Sequence, residues 1–490
     1  MNKIYYKYIV LHILLLVWQL PLAKSAEVVS VFNDYHELTS TDGRTLSAKI
    51  EKFEEDNLSI QLTNNSRYKL PYNRLSEETQ NNLHQLWAEE MNSKFGMTIF
   101  PVDGSHIQDM PASQWAKLIG IKKESETSYD SSYRNYFKEK KALNSAVYTI
   151  SAYAKNLDKE HKIKHISVVF ANKGDSIKSI ETSPEMLQSV YDDLQKEALK
   201  ELNEKIDLAT ASIKEQFEAW FGESTRMNYG YGSQKEYLDR WDSKGYSFLL
   251  NSKKDELVSL KIIPTSFLEQ EKQQVEINTE ELVSRIETND FGDVVLGDMP
   301  MVNQGPKGYC FPATCERMMR YLGIEADMYK WAMAGKTDAG GGTSSKDIIP
   351  KISNYIVQKS NSRLKKLNFS KLELNDISEW IDKGVPILWT MYSSDQYNLI
   401  AQQRTQSREK QNPQMWATQI AKEAIANSQA LQNNREGGHI CMIIGYNEMT
   451  NEVAVTDSWG SSYALRWVHV DEVRAATWDD GIAYVGFPEQ

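Results

Sequence analysis

Residues 299–314 read Met-Pro-Met-Val-Asn-Gln-Gly-Pro-Lys-Gly-Tyr-Cys-Phe-Pro-Ala-Thr, and this stretch decides the fold of the C-terminal part of the chain. Its glycines and its central proline predict an irregular loop that ends at Cys310. The apolar residues that follow recur at helical spacing up to Leu322, and Pro312 fits only in the first turn of such a helix. The pattern therefore places Cys310 at the N-terminus of an amphipathic helix.

The position of Cys310 favours the reactive form of its side chain. Unpaired backbone N–H groups and the helix dipole stabilise a thiolate, which is the form that attacks a carbonyl carbon. Gln304 lies six residues upstream in the same loop, where its amide can donate to a developing oxyanion. Such a donor contributes about 2.7–4 kcal/mol to catalysis. The loop thus predicts a nucleophile, Cys310, beside an oxyanion donor, Gln304.

A base for this thiol is predicted on a hairpin closer to the C-terminus. Residues 438–446 form an apolar run of strand length, and residues 452–457 form a second strand pattern after a turn. If the hairpin centres on residue 448, His439 faces Asp457, and their Cβ atoms lie about 4.5–5.5 Å apart. The carboxylate would then hold one imidazole nitrogen while the other nitrogen points to the thiol.

Each of these residues also has a purely structural interpretation. A single cysteine is often a buried, inert residue, and a histidine next to two glycines is often part of a loop. A Gln and a Cys six residues apart at a helix start, together with a His/Asp pair on a hairpin, are harder to explain by packing alone. The combination indicates nucleophilic catalysis by Cys310, His439 and Asp457.

Five stretches of the C-terminal segment follow one another in the order found in a known family. They are residues 304–313, 342–344, 384–387, 438–439 and 457–460. In these stretches the segment resembles a papain-superfamily cysteine peptidase, most of all the bacterial bacteriocin-processing (double-glycine leader peptidase-like) domains. The resemblance implies that Cys310 is the nucleophile and His439 the base. It further implies that Asp457 orients the base, that Gln304 is the oxyanion donor, and that a Cys-bearing helix packs on an antiparallel sheet.

One position departs from papain within this resemblance. Asp457 stands where papain has Asn, in agreement with the bacterial branch of the family. The following Ser-Trp-Gly matches the papain pattern, so Trp459 is expected to shield the bond between the histidine and the carboxylate from water.

Residues 31–90 are predicted to form a small β module. Asp42-Gly43 and Asn64-Asn65 indicate turns between short alternating runs, and Ser76 indicates the start of a helix. The pattern resembles the Sla-one-type homology domain, an SH3-like barrel, at Thr41–Leu46, Ala48, Phe53 and Leu70–Ser76, although His36-Glu37-Leu38 replaces its usual Trp. The module is interpreted either as an interaction domain with a cell-envelope or protein partner, or as a β cap on its neighbour.

The chain as a whole is predicted to be a multidomain α+β protein. Residues 95–268 are expected to form an α+β domain of unassigned role with a long helix from Ser183 to Gly222, followed by a charged linker at 269–290. The papain-like domain at 295–490 contains every candidate catalytic residue, so we expect it to fold and react alone. Within it, residues 396–434 are longer than the family needs and are either a lid near the cleft or a surface helix.

The N-terminus predicts export. Lys3 and Lys7 precede an apolar run, and Ala23-Lys24-Ser25 matches a cleavage site, so residues 1–25 are predicted to be a signal peptide. The run is shorter than the ~20 residues that a membrane span needs, and no stable span is expected after cleavage. We therefore expect a secreted, periplasmic or cell-envelope protein.

Composition narrows the classes of partner. The chain has 56 basic and 67 acidic residues, a net charge of −11, and an acidic chain gains nothing from phosphate neutralisation, so no nucleic acid partner is expected. Three cysteines are too few for a disulfide framework. Cys315 and Cys441 are expected to be buried free thiols, with a Cys315–Cys441 disulfide as the alternative. No cofactor and no metal are predicted.

The predicted function is that of a secreted bacterial-type thiol hydrolase that cleaves peptide bonds in a peptide or protein substrate. Two alternatives remain. One is an acyltransferase of the transglutaminase type, which orders Cys, His and Asp in the same way, and the other is a catalytically inactive peptide-binding module. Gln304 and the pattern after Asp457 favour the papain type over the first alternative, and the presence of all four expected side chains counts against the second.

Overall fold

The structure is a computed structural model, and part of the chain is described in it. The described residues are 34–54, 56–157, 159–176, 188–305, 308–337, 342–360, 362–368, 372–408, 411–478 and 482–488. They belong to two compact units, one that ends at Gly104 and one that begins at Ser105. The predicted signal peptide lies outside the described residues.

The unit that ends at Gly104 is an antiparallel sheet followed by one helix. Its elements are β1 Tyr35–Thr39, β2 Thr45–Phe53, β3 Asn57–Leu62, β4 Arg67–Pro71 and α1 Glu77–Phe95. The strands are ordered β1-β2-β3-β4, and a bridge between Ser40 and Leu75 returns the chain to the end of β1. The helix begins where the sequence predicts it because the Ser76 side chain accepts from the Thr79 N–H. The predicted strands and helix are present, and the SH3-like assignment stays a prediction.

The first layer of the unit that begins at Ser105 is a large antiparallel sheet, called here the upstream sheet. Its elements are α2 Ala112–Ile119, β5 Lys123–Glu126, β6 Asp130–Ala142, β7 Ser145–Leu157, β8 Glu160–Asn172, α3 Lys173–Ser176, α4 Gln188–Phe221, β9 Thr225–Tyr229, β10 Glu236–Ser243, β11 Tyr246–Lys253 and β12 Leu257–Pro264. The strand order is β5-β6-β7-β8-β12-β11-β10-β9. Two consecutive meanders therefore join at β8 and β12 into one eight-stranded sheet.

Helix α4 packs on the upstream sheet through its C-terminal half. Leu202, Ile206 and Phe217 are buried, whereas Leu194, nearer the start of the helix, is exposed. A helix of 34 residues is about 50 Å long, whereas even the longest strands of this sheet, with 13 residues, span about 44 Å, so the helix is longer than any strand that it crosses. The predicted helix start at Ser183 lies outside the described residues.

The second layer contains the Cys-bearing helix and a mixed arrangement of helices around another antiparallel sheet. Its elements are α5 Thr279–Ser284, β13 Ile286–Thr288, β14 Asp293–Leu296, α6 Cys310–Tyr321, α7 Met328–Ala334, α8 Ser345–Ser360, β15 Ser362–Asn368, α9 Leu374–Ile381, β16 Ile387–Tyr392, α10 Asp395–Arg408, α11 Pro413–Asn433, β17 Gly438–Asn447, β18 Glu452–Thr456, β19 Arg466–His469, α12 Val470–Ala476 and β20 Ile482–Pro488. The main sheet is ordered β13-β14-β17-β16-β20-β15, and β18 pairs with β17 and β19. Helix α6 lies against β17, as the Thr314 hydroxyl bond to the Ile440 carbonyl shows, at 3.3 Å.

The residues predicted as a linker, 269–290, have regular structure. They include α5 and β13, and β13 pairs with β14 from Ile286↔Leu296 to Thr288↔Val294. Charged residues in this stretch suggested an extended connection, but a two-strand edge ladder can expose its charges while its backbone is paired. Residues 105–490 form one compact unit, so the predicted boundary runs between two layers of that unit.

These observations give a mixed α and β architecture with three antiparallel sheets in the described residues, compatible with a multidomain α+β protein. Within the same described ranges, no helix is both long enough and apolar enough to cross a membrane.

The contact between α4 and the upstream sheet generates a stability prediction. Phe217 is fully buried and lies with its ring centroid 5.1 Å from that of Trp241 and 5.3 Å from that of Phe248. We expect Phe217→Ala to lower the free energy of unfolding by about 3–5 kcal/mol because it leaves a cavity among aromatic rings. Leu208→Ala, on an exposed face of the same helix, should change it by no more than about 0.5 kcal/mol. Urea unfolding of both variants measures the difference, and similar values would contradict the packing described.

Candidate active site

Cys310 is the first residue of α6, as the sequence predicts. It is partly exposed, whereas every other residue of this helix is buried. The sulfur accepts hydrogen bonds from the backbone N–H groups of Phe311 and Ile440 and contacts the imidazole of His439. The helix start and the first residues of β17 together therefore surround the sulfur with donors, and one side of it stays open to solvent.

His439 is the second residue of β17 and joins the thiol to a carboxylate. Its Nε2 lies 2.6 Å from Oδ1 of Asp457, which leaves Nδ1 as the nitrogen that faces Cys310. The Trp459 ring stacks on the imidazole with centroids 4.4 Å apart and planes inclined by 25°. Gly460 allows this because its φ of 100° and ψ of 179° belong to a backbone region that only glycine adopts readily.

The structure places His439 and Asp457 in contact, but the predicted hairpin register is wrong. The observed pairs begin at Asn447↔Glu452, and beyond a bulge at Ile444 they continue as Ile443↔Val455 and Met442↔Thr456. Continued by one residue, this register sets Asp457 opposite Cys441 and not opposite His439. The two residues still share a face because the shift from the predicted register is two residues, and side chains alternate with a period of two.

The electrostatics of Cys310 and His439 favour the charged form of both groups. Burial raises the pKa of the Cys310 thiol, but the hydrogen bond and charge of His439 and the two backbone donors bring this pKa below its ordinary value. Burial lowers the pKa of His439, but Asp457 and Cys310 outweigh burial and raise it to about 9. Between these two pKa values the site holds a thiolate and an imidazolium. These opposite shifts favour the thiolate and imidazolium forms of the pair.

Asp457 is fully buried and is stabilised by a residue that the sequence analysis missed. Burial raises the pKa of Asp457, but His439 and Arg466 bring it below its ordinary value. Arg466 is hydrogen-bonded to Oδ2, and its other terminal nitrogen donates to Oδ1 of Asn398 at 2.9 Å. Arg466 lies on β19, which pairs with β18 through Val455↔Arg466. A single sequence carries no signal for this contact, because it depends on the register of a third strand.

Gln304 is buried in the loop before α6 and is held by Ser458. Its backbone N–H donates to the Ser458 carbonyl at 2.8 Å, and its Oε1 accepts from the Ser458 hydroxyl at 2.8 Å. This second bond fixes which end of the amide is the oxygen, so Nε2 is directed away from Ser458. The next loop residues, Pro306 and Lys307, lie outside the described residues.

A second buried arginine ties the Cys-bearing helix to the rest of the site. Arg317 donates to the Pro300 carbonyl at 2.8 Å and to the Thr456 hydroxyl at 2.5 Å. It therefore connects α6 both to the loop that leads to Gln304 and to the strand end that leads to Asp457. Burial lowers the pKa of Arg317 to about 10, although Asp457 opposes this change, so the side chain remains charged at neutral pH.

A cleft of about 590 Å³ opens at Cys310 and His439. The other residues that line it are Phe311, Gly342, Thr343, Ser344, Ser345, Lys346, Thr390, Gly438, Ile440 and Trp478. Residues 342–344 are one of the stretches on which the family resemblance is based, and the structure places them on this cleft. Gly438 lies under Trp478, since a Cβ added there would lie 2.4 Å from the indole ring.

The segment 396–434 does not line this cleft among the described residues. It forms most of α10 and all of α11. These helices pack behind the site: Arg404 pairs with Glu472, and Asn398 binds Arg466. The segment is therefore connected through Asn398 and Arg466 to Asp457, and the described lining of the cleft does not favour the alternative of a lid.

Cys315 and Cys441 are buried and free. Burial raises the pKa of both thiols well above the ordinary value. They differ in this respect from Cys310, and the expectation of two inert thiols agrees with this arrangement.

Residues 296–480 match the Peptidase_C39 like family model. This match supports a cysteine peptidase, and it contains Cys310, His439, Asp457 and Gln304. A solved structure described as a putative C39-like peptidase from Bacillus anthracis is also similar, with 14% sequence identity and a TM-score of 0.27 over 40% of this chain and 98% of that chain. No protein of curated function matches the chain.

The site geometry predicts selective alkylation. Iodoacetamide should modify Cys310 faster than Cys315 or Cys441 near pH 7, because the pKa of Cys310 is lowered whereas the pKa values of the two buried thiols are raised. The rate should fall as pH drops through the Cys310 pKa. Removing the cation by His439→Ala raises the thiol pKa, so the rate at pH 7 should fall about tenfold or more. Mass spectrometry of the folded chain measures the labelling. Equal labelling of the three cysteines, or no effect of the histidine substitution, would contradict an activated thiol.

Proposed function

We propose that the protein is a thiol hydrolase that cleaves peptide bonds, with Cys310 as nucleophile, His439 as acid and base, Asp457 as the orienting carboxylate and Gln304 as oxyanion donor. The observation that carries this proposal is the contact of Cys310, at a helix N-terminus, with a histidine whose Nε2 lies 2.6 Å from a buried aspartate. The family match over residues 296–480 supports the same activity.

The reaction follows from the charges of these groups. The Cys310 thiolate attacks the carbonyl carbon of a peptide bond, and the electron pair moves to the oxygen, where the Gln304 amide donates a hydrogen bond. When the intermediate collapses, the C–N bond breaks, and the His439 imidazolium gives its proton to the leaving amine. A water molecule then attacks the thioester, neutral His439 takes its proton, and a carboxylic acid leaves as the thiolate is restored.

Asp457 performs its role without transferring a proton. Its carboxylate accepts the Nε2–H bond, which holds the imidazole with Nδ1 toward the sulfur and stabilises the imidazolium. Arg466 keeps this carboxylate charged, and Trp459 covers one face of the imidazole. These contacts support the assignment of His439 as an acid and base, because they fix both its orientation and its protonation.

The proposal has three further parts. They are the resemblance to bacteriocin-processing domains, the place where the enzyme acts and the role of the N-terminal module. We infer from the pattern of residues 1–25 that the enzyme acts outside the cytoplasm, in the cell envelope or beyond it. The four-stranded sheet with its bridge from Ser40 to Leu75 is consistent with an SH3-like module that binds an envelope component or a protein. The peptide sequence that is cleaved would be selected by the cleft between residues 342–346 and Trp478.

Hydrolysis can be separated from acyl transfer and from passive binding in one experiment. The chain and its Cys310→Ala variant are incubated with a mixed peptide library in water enriched in ¹⁸O, with and without an added primary amine, and the products are analysed by mass spectrometry. We expect new carboxyl termini that carry ¹⁸O only with the intact cysteine. Amine adducts as the main products would indicate an acyltransferase, and no difference between the two proteins would contradict the enzymatic function.

Two substitutions of Asp457 are expected to lower kcat/KM to different extents. Asp457→Asn retains an oxygen that accepts the Nε2–H bond, whereas Asp457→Ala loses the partner entirely. Since a hydrogen bond of this kind contributes about 1–2 kcal/mol, kcat/KM of the Asn variant should exceed that of the Ala variant by about tenfold. Peptide hydrolysis rates measure the ratio, with circular dichroism as the check that both variants are folded. Equal loss in two folded variants would show that Asp457 does not orient the histidine.

A further inference from the structure

Helix α6 is unusual because its polar side is buried as completely as its apolar side. Glu316 is fully buried, and Arg320 is 7% exposed. Polar groups at these depths need partners, because an unpaired buried charge is strongly unfavourable. The partners come from strands β5, β6 and β7 of the upstream sheet, which lies across this side of the helix.

One guanidinium joins the upstream sheet to the Cys-bearing helix. Arg134 of β6 lies 3.3 Å from Glu316 of α6 and 3.3 Å from Glu124 of β5, and the three side chains are almost completely buried. The Tyr153 hydroxyl also donates to Glu316, at 3.1 Å. Arg320, one turn further along the helix, is bound to Asp130 by two hydrogen bonds of 2.8 and 3.0 Å. The helix is therefore fixed to the sheet by charge-assisted bonds with defined geometry.

The same sheet holds the loop that carries the oxyanion donor. The backbone N–H of Asn303 donates to Oε1 of Glu124 at 2.8 Å, and the Tyr136 hydroxyl donates to the Asn303 carbonyl. The Met301 N–H donates to the Ser125 hydroxyl at 3.0 Å. Since Gln304 follows Asn303 directly and is bound on its other side by Ser458, its backbone is fixed between the upstream sheet and the catalytic hairpin.

Glu124 is the residue at which these two sets of contacts meet. One of its oxygens accepts from the loop that carries Gln304, and the same carboxylate is paired with Arg134, which contacts the helix that carries Cys310. Glu124, Arg134 and Tyr136 therefore help to set the distance between Cys310 and Gln304. All three lie more than 150 residues upstream of both. A displacement of about 1 Å between such groups can reduce a rate by about a hundredfold.

We propose that Glu124, Arg134 and Tyr136 of the upstream sheet are positioning residues for the catalytic site, so that this sheet is a permanent part of the enzyme. The inference rests on the proposed function of Cys310 and Gln304. It argues against the expectation that residues 295–490 react alone, because that segment lacks all three residues. It also argues against a removable inhibitory cover, since the upstream sheet contacts the back of α6 and none of its described residues lines the cleft.

Two reactions of Cys310 separate positioning of the oxyanion donor from general damage. Alkylation by iodoacetamide displaces iodide at carbon and forms no oxyanion, whereas acylation by p-nitrophenyl acetate passes through a tetrahedral oxyanion and releases p-nitrophenolate. Both rates are measured on the full chain over pH 5–9, with Cys310→Ala as the background. Gln304→Ala should lower acylation by about 10²–10³-fold and leave alkylation unchanged.

The variants of the upstream sheet are expected to show the same kind of loss, in which acylation slows and alkylation does not, but to a smaller extent. Tyr136→Phe and Glu124→Ala should each lower acylation about tenfold or more with the alkylation rate and its pH profile unchanged. Glu124→Gln should restore part of the rate because its amide oxygen can accept from Asn303. Tyr246→Phe is the matched control, since it removes a phenol hydroxyl that accepts from the Ile107 N–H, at 2.9 Å, in the same sheet, and it should alter neither rate.

The outcomes separate a failure of the positioning proposal from a failure of the proposed function. If Gln304→Ala loses acylation while the Tyr136 and Glu124 variants behave like the unmodified chain, the positioning proposal is wrong and the proposed function stands. A parallel loss of both reactions in the upstream variants, or an equal loss in Tyr246→Phe, would also overturn it. If the unmodified chain is acylated no faster than Cys310→Ala, the proposed function itself fails.

Discussion

Burial and charge act against each other at Cys310, and the remainder of the site follows from how this opposition is resolved. A sulfur enclosed by a helix start and a strand would ordinarily stay protonated, since burial disfavours the thiolate. His439 reverses this preference by carrying a positive charge next to it, and Asp457 stabilises the charge on His439. Asp457 is itself buried, and His439 and Arg466 together bring its pKa below the ordinary value. Each charged residue in the series from Cys310 to Arg466 stabilises the one before it, which is buried and therefore not stabilised by water.

The same opposition of burial and charge applies beyond the four proposed catalytic side chains. A helix that brings a nucleophile to a cleft while its other side carries Glu316 and Arg320 cannot leave these residues unpaired in the interior. Strands β5 and β6 provide Glu124, Asp130 and Arg134, and the loop before the helix is bound by the same strands. The layer that appears from sequence to be a separate domain therefore supplies the polar partners that the catalytic layer needs.

Local patterns in the sequence predicted what depends on local structure. The helix start at Cys310, the strand pair that leads to His439 and Asp457, and the N-cap at Ser76 all depend on turn residues and on the spacing of nearby hydrophobic residues. The hairpin register was missed because the loop has four residues and the strand contains a bulge, and neither feature has a sequence signature here.

Contacts between distant segments could not be predicted in the same way. Arg466 reaches Asp457 through the pairing of a third strand, and Arg134 reaches Glu316 across 182 positions. The linker was predicted from its charge, but an edge strand tolerates the same charges. The place of α10 depends on ion pairs with Glu472, Asp293 and Glu452, and α11 is hydrogen-bonded to two of the same carboxylates through Trp416 and Asn427. These residues look like ordinary surface positions in the sequence.

The bulge at Ile444 restricts how this hairpin can vary in length. If Ile444 were paired with Val455 and not bulged, the pairing at Gly445↔Ala454 would continue to Met442↔Asp457, and the carboxylate would lie on the face of the sheet away from His439. With the bulge retained, an odd number of residues inserted into or removed from the paired positions of one strand reverses the face on which Asp457 emerges, whereas an even number preserves it. Homologous hairpins should therefore differ in strand length by steps of two, or should gain and lose bulges in compensating pairs, while the turn at 448–451 is free to change.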